Sequence, residues 1–169
     1  MTIHAGDPFA TPEDQRSPVR RLRGRLPVAV TLWTAPGPAG LTVSSTLVVD
    51  GSPGRLLGVL DEESELWAAA EAAGVFAVTL LGPDDQQLAD RFAGLLPAPG
   101  GPFREYEWRS TEFGPVLAGR GTWAGCRLDA ARPLGWGLLV EATIERVEIG
   151  ADPPLLHYRG RYRQLPLDR

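Results

Sequence analysis

The sequence predicts a mainly β fold, a barrel of about six to eight mostly antiparallel strands with two or more short helices outside it. Three observations predict it. Short apolar or alternating runs recur along the chain, separated by turns rich in Gly and Pro. Most connections between these runs are short, which favours antiparallel neighbours over parallel crossovers. Two stretches, opening after Ser64 and after Asp84, carry helical apolar spacing with start and stop signals.

Taken in order, residues 1–21 read as a flexible polar arm containing Pro8, Pro12 and Pro18, and the domain runs from 22 to 169. Arg20, Arg21, Arg23 and Arg25 form a basic cluster at the junction, read as a solvated charge run. Residues 26–34 alternate, with Val28, Val30 and Leu32 on one face, and predict a strand. Residues 41–49 and 55–60 predict two more strands around the turn Gly51-Ser52-Pro53-Gly54.

Ser64 is the N-cap and Gly74 the C′ glycine of a helix over 65–73, with Leu66, Ala69, Ala70 and Ala73 as its buried stripe. Residues 75–81 predict a strand. Asp84 and Gln87 suggest a capping box for a second helix, lined by Leu88, Ala89, Phe92 and Ala93 and ended by Gly94. Short extended pieces follow at 103–108 and 114–117, then a strand over 121–129 and a turn at 132–135. The longest strand, 138–149, slips phase near Arg146, which suggests a bulge. Residues 155–162 form an aromatic tail.

Bulk composition narrows the function classes. The 169 residues fit one domain with a sizeable core, and 43% are hydrophobic. The net charge of −4 gives no basic field for nucleic acid. All 17 basic residues are arginine, which reads as coding bias. The lone Cys126 excludes an internal disulfide and a cysteine metal cluster. No apolar run is long enough to span a membrane and the N-terminus lacks a signal-peptide core, so a cytoplasmic protein is expected. There is no P-loop, dinucleotide fingerprint, metal-ligand spacing or nucleophile elbow.

The stretch 40–60, GLTVSSTLVVDGSPGRLLGVL, is the most distinctive. Its hydroxyl-rich opening can offer side-chain and backbone groups to a phosphate-bearing or heteroaromatic ligand, though Ser and Thr are also ordinary strand and turn residues. With the segments Gly74–Leu81 and Gln86–Gly94, and the closing Pro154-Leu155-Leu156-His157-Tyr158-Arg159-Gly160-Arg161-Tyr162, it resembles the flavin reductase-like domain family over about residues 22–165.

That resemblance implies an FMN-binding split β-barrel that forms homodimers. It places the flavin against Leu41, Thr42, Val43, Ser44 and Ser45, against Val59, Leu60 and Asp61, and near Ser64 and Phe92. Ser64 can act as N-cap, phosphate ligand or both, and Phe92 as core packing or flavin contact. The implied activity is an NAD(P)H:flavin oxidoreductase using FMN, with FAD possible, and feeding a partner flavin-dependent monooxygenase. No side-chain acid or base is required, so no catalytic residue is assigned. The alternatives are a flavin carrier or a cofactor-free dimeric module of the same fold.

Two departures stand out. Gly135-Trp136-Gly137 occupies the place of the family's Gly-Asp-His, where Trp136 serves either as a stacking wall or as barrel packing. Asp61, Glu62 and Glu63 set three negative charges beside the expected phosphate position unless Arg55, Arg91 or Arg120 compensates.

Overall fold

The computed structural model describes Gln15 and residues 17–166. The arm expected over 1–21 lies largely outside them; within them, Ser17 caps helix α1 (Pro18–Arg25), its hydroxyl accepting from the Arg20 N–H. Twelve strands follow: β1 (Val28–Ala29), β2 (Thr31–Ala35), β3 (Ala39–Val43), β4 (Leu47–Val49), β5 (Arg55–Leu60), β6 (Val75–Leu80), β7 (Trp108–Arg109), β8 (Val116–Leu117), β9 (Trp123–Leu134), β10 (Gly137–Glu148), β11 (Leu155–Tyr158) and β12 (Arg161–Gln164). Helix α2 (Glu65–Ala73) lies between β5 and β6, and α3 (Gln86–Phe92) follows β6. The seven-stranded main sheet runs β3-β2-β6-β9-β10-β5-β4, with every pair antiparallel. The mainly β, antiparallel class read from the sequence is the one observed.

The sheet curls until its two ends meet. Just past β3, the Ser45 hydroxyl lies 2.9 Å from both the Val59 N–H, which donates to it, and the Val59 carbonyl, to which it donates. One side chain thus bridges the β3 end to β5. This bridge is why the strand expected over 41–49 is interrupted: residues 44–46 leave extended pairing to make it.

The interior is built on Trp33, stacked on Phe76 at 4.7 Å with planes 9° apart. Val43, Leu56, Leu60, Leu66, Cys126, Leu138 and Val140 surround the pair. A second core lies outside the main sheet, where α3 packs Leu88, Ala89 and Phe92 against Val30, Leu32, Leu81 and Leu155. The strand expected over 26–34 therefore splits. β1 joins the small sheet β1-β11-β12, and β2 joins the main sheet.

Other local expectations shift. Ser64 and Gly74 cap α2 as expected, Gly74 with a left-handed φ of 73°, but of the stripe Ala73 is exposed and Ala69 only half-buried. The second cap uses different residues. Pro83–Asp85 is a 3-10 turn, and the Asp85 carboxylate, not an Asp84–Gln87 pair, accepts from the Gly82 N–H at 2.7 Å. Pro83 fixes that tighter start because it has no N–H to donate. β9 runs on through the expected 132–135 turn to Leu134, and the chain reverses at Gly135-Trp136. The bulge near Arg146 is present, with a second register shift at Glu141/Ala142.

Two expectations about stability follow. A Cβ added at Gly58 would sit 2.5 Å from Cζ2 of Trp33. Gly58→Ala should therefore cost about 1–3 kcal/mol by overpacking, read as a lower urea midpoint. His157 on β11 is the second case: its Nε2 is buried without a hydrogen-bond partner, and desolvation, then the charge of Arg23, depresses its pKa to about 4. The unfolded chain binds this proton first as pH falls. Stability from this site is full above about pH 6.5 and is lost towards pH 4; His157→Phe should flatten that slope in pH-dependent denaturation.

Candidate functional site

The hydroxyl-rich opening of the 40–60 stretch sends its side chains to different places. Along β3, Leu41 and Val43 pack into the barrel interior. Thr42 points the other way, and its hydroxyl donates to the Ala89 carbonyl of α3 at 2.6 Å. Thr46 meets the Trp33 Nε1–H at 3.1 Å and the Thr31 hydroxyl at 2.8 Å. Ser45 bridges to Val59. Ser44 alone is left over: only 7% of its surface is exposed, and its hydroxyl meets no hydrogen-bond partner among the described residues. A hydroxyl with no protein partner is available to a ligand.

The Ser45 bridge puts Val59, Leu60 and Asp61 beside this loop. Leu60 is buried in the interior and Val59 is half-buried. The Asp61 carboxylate accepts from the Glu63 N–H at 2.9 Å, closing the turn into α2. There the Ser64 hydroxyl accepts from the Trp67 N–H at 3.2 Å as the N-cap. The hairpin joining β9 to β10 reaches the same rim, since a Cβ on Gly137 would fall 2.6 Å from Val59 Cγ1 and 3.0 Å from the Leu60 carbonyl.

Phe92 lies apart from this group, on the α3 side of β3. Its ring makes edge contacts with Phe103 and Trp108 and lies where a Cβ of Gly40 would be. Of the two readings of Phe92, these contacts are core packing.

None of the three arginines considered for the acidic run turns towards it. Arg55 binds Glu141 at 2.6 Å and Asp129 at 3.1 Å. Arg91 binds Glu105 at 2.7 Å and the Tyr106 hydroxyl at 2.6 Å. Arg120 grips Asp85 through two bonds of 2.6 and 2.7 Å, and that hydrogen bond raises its pKa further. Sequence spacing could not reveal the pairings of Arg55 and Arg120, because Glu141 is 86 residues from the first and Asp85 is 35 from the second.

The rest of the titratable inventory is structural. Burial pushes the Cys126 thiol up to about 12, so it is not a nucleophile at neutral pH. Glu148, bonded by Trp123 Nε1–H at 2.7 Å and by Arg109 and Arg146, is held down to about 2. Among the described residues no group of His, Cys, Asp and Glu is placed to hold a metal ion, and no helix is long and apolar enough to cross a membrane. The chemistry of this rim is hydroxyl, backbone and apolar surface, suited to a flat, polar-edged ring.

Comparison with known proteins agrees with that chemistry. The family model described as "Flavin reductase like domain" matches residues 23–166. An NADH:FMN oxidoreductase of Rhodococcus qingshengii is 34% identical over 173 residues, covering 94% of this chain and 88% of that protein. The reductase component of a 4-hydroxyphenylacetate 3-monooxygenase from Thermus thermophilus is 30% identical over 127 residues, covering 75% of this chain and 78% of that protein. Among solved structures, a nitrilotriacetate monooxygenase component B homologue from Mycobacterium thermoresistibile superposes with a TM-score of 0.78 at 26% identity, covering 88% of this chain and 85% of that one. With most of its length matched and the barrel in place, this chain belongs to the flavin reductase-like domain family.

Proposed function

We propose that the chain is an NAD(P)H:flavin oxidoreductase whose reduced flavin serves a partner flavin-dependent monooxygenase. The observation that carries this is Ser44, a buried residue with a free hydroxyl beside the rim of Val59, Leu60 and Asp61. A similar NADH:FMN oxidoreductase and a similar monooxygenase reductase component support the same reading. FMN is the proposed flavin, and FAD presents the same ring. When bound, the flavin supplies the redox chemistry, hydride passing from nicotinamide C4 to its N5.

The protein's part is to bind, orient and exclude water. Ser44 offers the ring edge its hydroxyl. Leu41, Thr42, Val43 and Ser45 contribute backbone, since the Thr42 and Ser45 hydroxyls are already engaged. Val59 supplies apolar wall, and Leu60, whose side chain is buried in the interior, contributes backbone. Ser64 and the first turn of α2 face the phosphate end, where Asp61, Glu62, Glu63 and Glu65 oppose a dianion. Flavin is therefore held weakly and exchanges, which suits a protein that hands reduced flavin on.

The proposal includes a homodimer in the cytoplasm. Support for the dimer is an outward-facing apolar strip. The register pairs Leu47 with Leu57 and Val59 with Leu139, all on the face opposite the buried Leu56, Leu60 and Leu138. Leu47 is 58% exposed, and such a strip on a barrel wall favours a covering copy.

The direct test is anaerobic and aerobic NAD(P)H oxidation with and without added FMN. Flavin-dependent oxidation is expected, and a wild-type protein that neither binds flavin nor oxidises NAD(P)H would sink the proposal. Ser44→Arg should abolish flavin binding and leave a soluble fold; unchanged affinity would remove Ser44 from the site.

The acidic run gives a second expectation. The Glu62→Gln/Glu63→Gln double variant keeps the Asp61 turn but removes two charges. FMN affinity at low salt should rise roughly two- to fivefold, while riboflavin, lacking phosphate, should not respond. Fluorescence titrations of both flavins read this directly.

A further inference from the structure

Helix α1 is mounted the wrong way round for a helix that packs on its own domain. Val19, Leu22 and, at its C-cap, Leu26 recur at i, i+3 and i+7, so they share one apolar stripe. Such a stripe ordinarily faces the core. Here the opposite side faces the protein. Arg20 and Gly24, four residues apart, are the only half-buried residues of the helix, and none is fully buried. The Gly24 carbonyl accepts from the Arg159 N–H at 2.9 Å, which ties that side down. The stripe therefore points outward, with Val19 76%, Leu22 64% and Leu26 58% exposed.

Positive charge surrounds the stripe. At about 3.6 residues per turn, Arg21 and Arg25 fall on one flank of it and Arg23 on the other. The fold then adds a second basic segment. The bond from Arg159 to Gly24 sets the β11–β12 hairpin against the helix, although the two are far apart in the chain. On β12, Tyr162 turns inward to Asp90, so the exposed Arg161 and Arg163 lie on the outer face. Neither segment contains an acidic residue: four arginines in α1 and three in the hairpin gather here, while the other ten of the chain's 17 stand among all 21 acidic residues.

An apolar stripe flanked by arginines matches a surface that is apolar just beneath a negative layer. Two α1 helices packed stripe to stripe would set arginine against arginine. A protein groove would have to be cut to match a projecting helix and a separate hairpin, whereas a bilayer face meets both at once. We propose that α1 seats this protein on the surface of an anionic lipid bilayer. Val19, Leu22 and Leu26 enter the headgroup boundary, and Arg21, Arg25, Arg161 and Arg163 meet lipid phosphates. The protein rests on the bilayer without crossing it. This goes beyond the oxidoreductase reading, and its test needs no flavin.

The test is co-sedimentation of the full chain with vesicles of phosphatidylglycerol and phosphatidylcholine in equal parts, and with vesicles of phosphatidylcholine alone. Wild type should partition onto the anionic vesicles, at least about tenfold more weakly onto the neutral ones, and should be largely released by about 0.5 M salt. Leu22→Ser/Leu26→Ser and Arg21→Gln/Arg25→Gln should each cut partitioning about tenfold. Leu22→Met/Leu26→Met, which keeps the stripe apolar, should stay within about threefold of wild type. Native mass is measured for each.

Several outcomes overturn the proposal. Wild type left in the supernatant with anionic vesicles shows that no lipid surface is recognised. Equal binding to neutral vesicles removes the arginines from the contact. A loss confined to the arginine variant shows adsorption of charge without a seated stripe, and an equal loss in the methionine variant shows that apolarity is not the cause. A fall in native mass on serine substitution shows that the stripe is instead a contact between copies.

Discussion

The constraint on which the rest of the structure depends is the placement of Trp33 inside the barrel. Its indole lies flat on Phe76 of β6, and its far edge presses on Gly58 of β5. Its Nε1–H is shared between the Thr31 and Thr46 hydroxyls at 3.2 and 3.1 Å. A large ring can fill a small barrel only if something opposite it is absent, and Gly58 provides that absence. Thr46 turns inward to share that N–H with Thr31, just past the end of β3 at Val43. The break between β3 and β4 thus serves the indole as well as the Ser45 bridge to Val59.

That break shapes the candidate site. With Thr46 turned towards Trp33 and Ser45 turned towards Val59, the loop between the strands is pinned on both sides. Thr42 is committed to α3. One hydroxyl remains, on Ser44. A stretch that reads as a row of ligand-binding hydroxyls is mostly a set of structural bonds closing the barrel, with a single hydroxyl left unpaired. Closure and the candidate site share the same few residues.

Charge follows a similar division. The three arginines weighed against the acidic run each hold an acidic residue elsewhere, Arg120 most completely through its two-pronged grip on Asp85. Arg55 ties β5 to Asp129 on the β9–β10 ribbon, so a charge available in principle to a phosphate instead stiffens the arm that carries Trp136. These cations brace the frame, and the candidate site is left with hydroxyl, backbone, apolar surface and a negative margin.

The sequence by itself determined the mainly β class, the antiparallel sheet, helix α2 with its Ser64 and Gly74 caps, the bulge near Arg146 and the family. All of these are written in local spacing: alternation with period two, a cap three residues from its N–H partner, a glycine where φ must be positive, or short motifs in a fixed order. Only the tertiary structure decided that Ser44 and not Thr42 or Ser45 keeps a free hydroxyl, that Phe92 packs with Phe103 and Trp108, and that Asp85 rather than Asp84 caps its turn. It also decided that Trp136 stands bare on a hairpin tip, outside the barrel packing. The hydroxyls depend on partners brought together by barrel closure, Ala89 for Thr42 and Val59 for Ser45, 47 and 14 residues away in the chain, and the capping Asp85 is gripped by Arg120, 35 residues on. A hydroxyl or carboxylate has no sequence signal for which distant group will claim it, because that choice is made by geometry after the strands have paired.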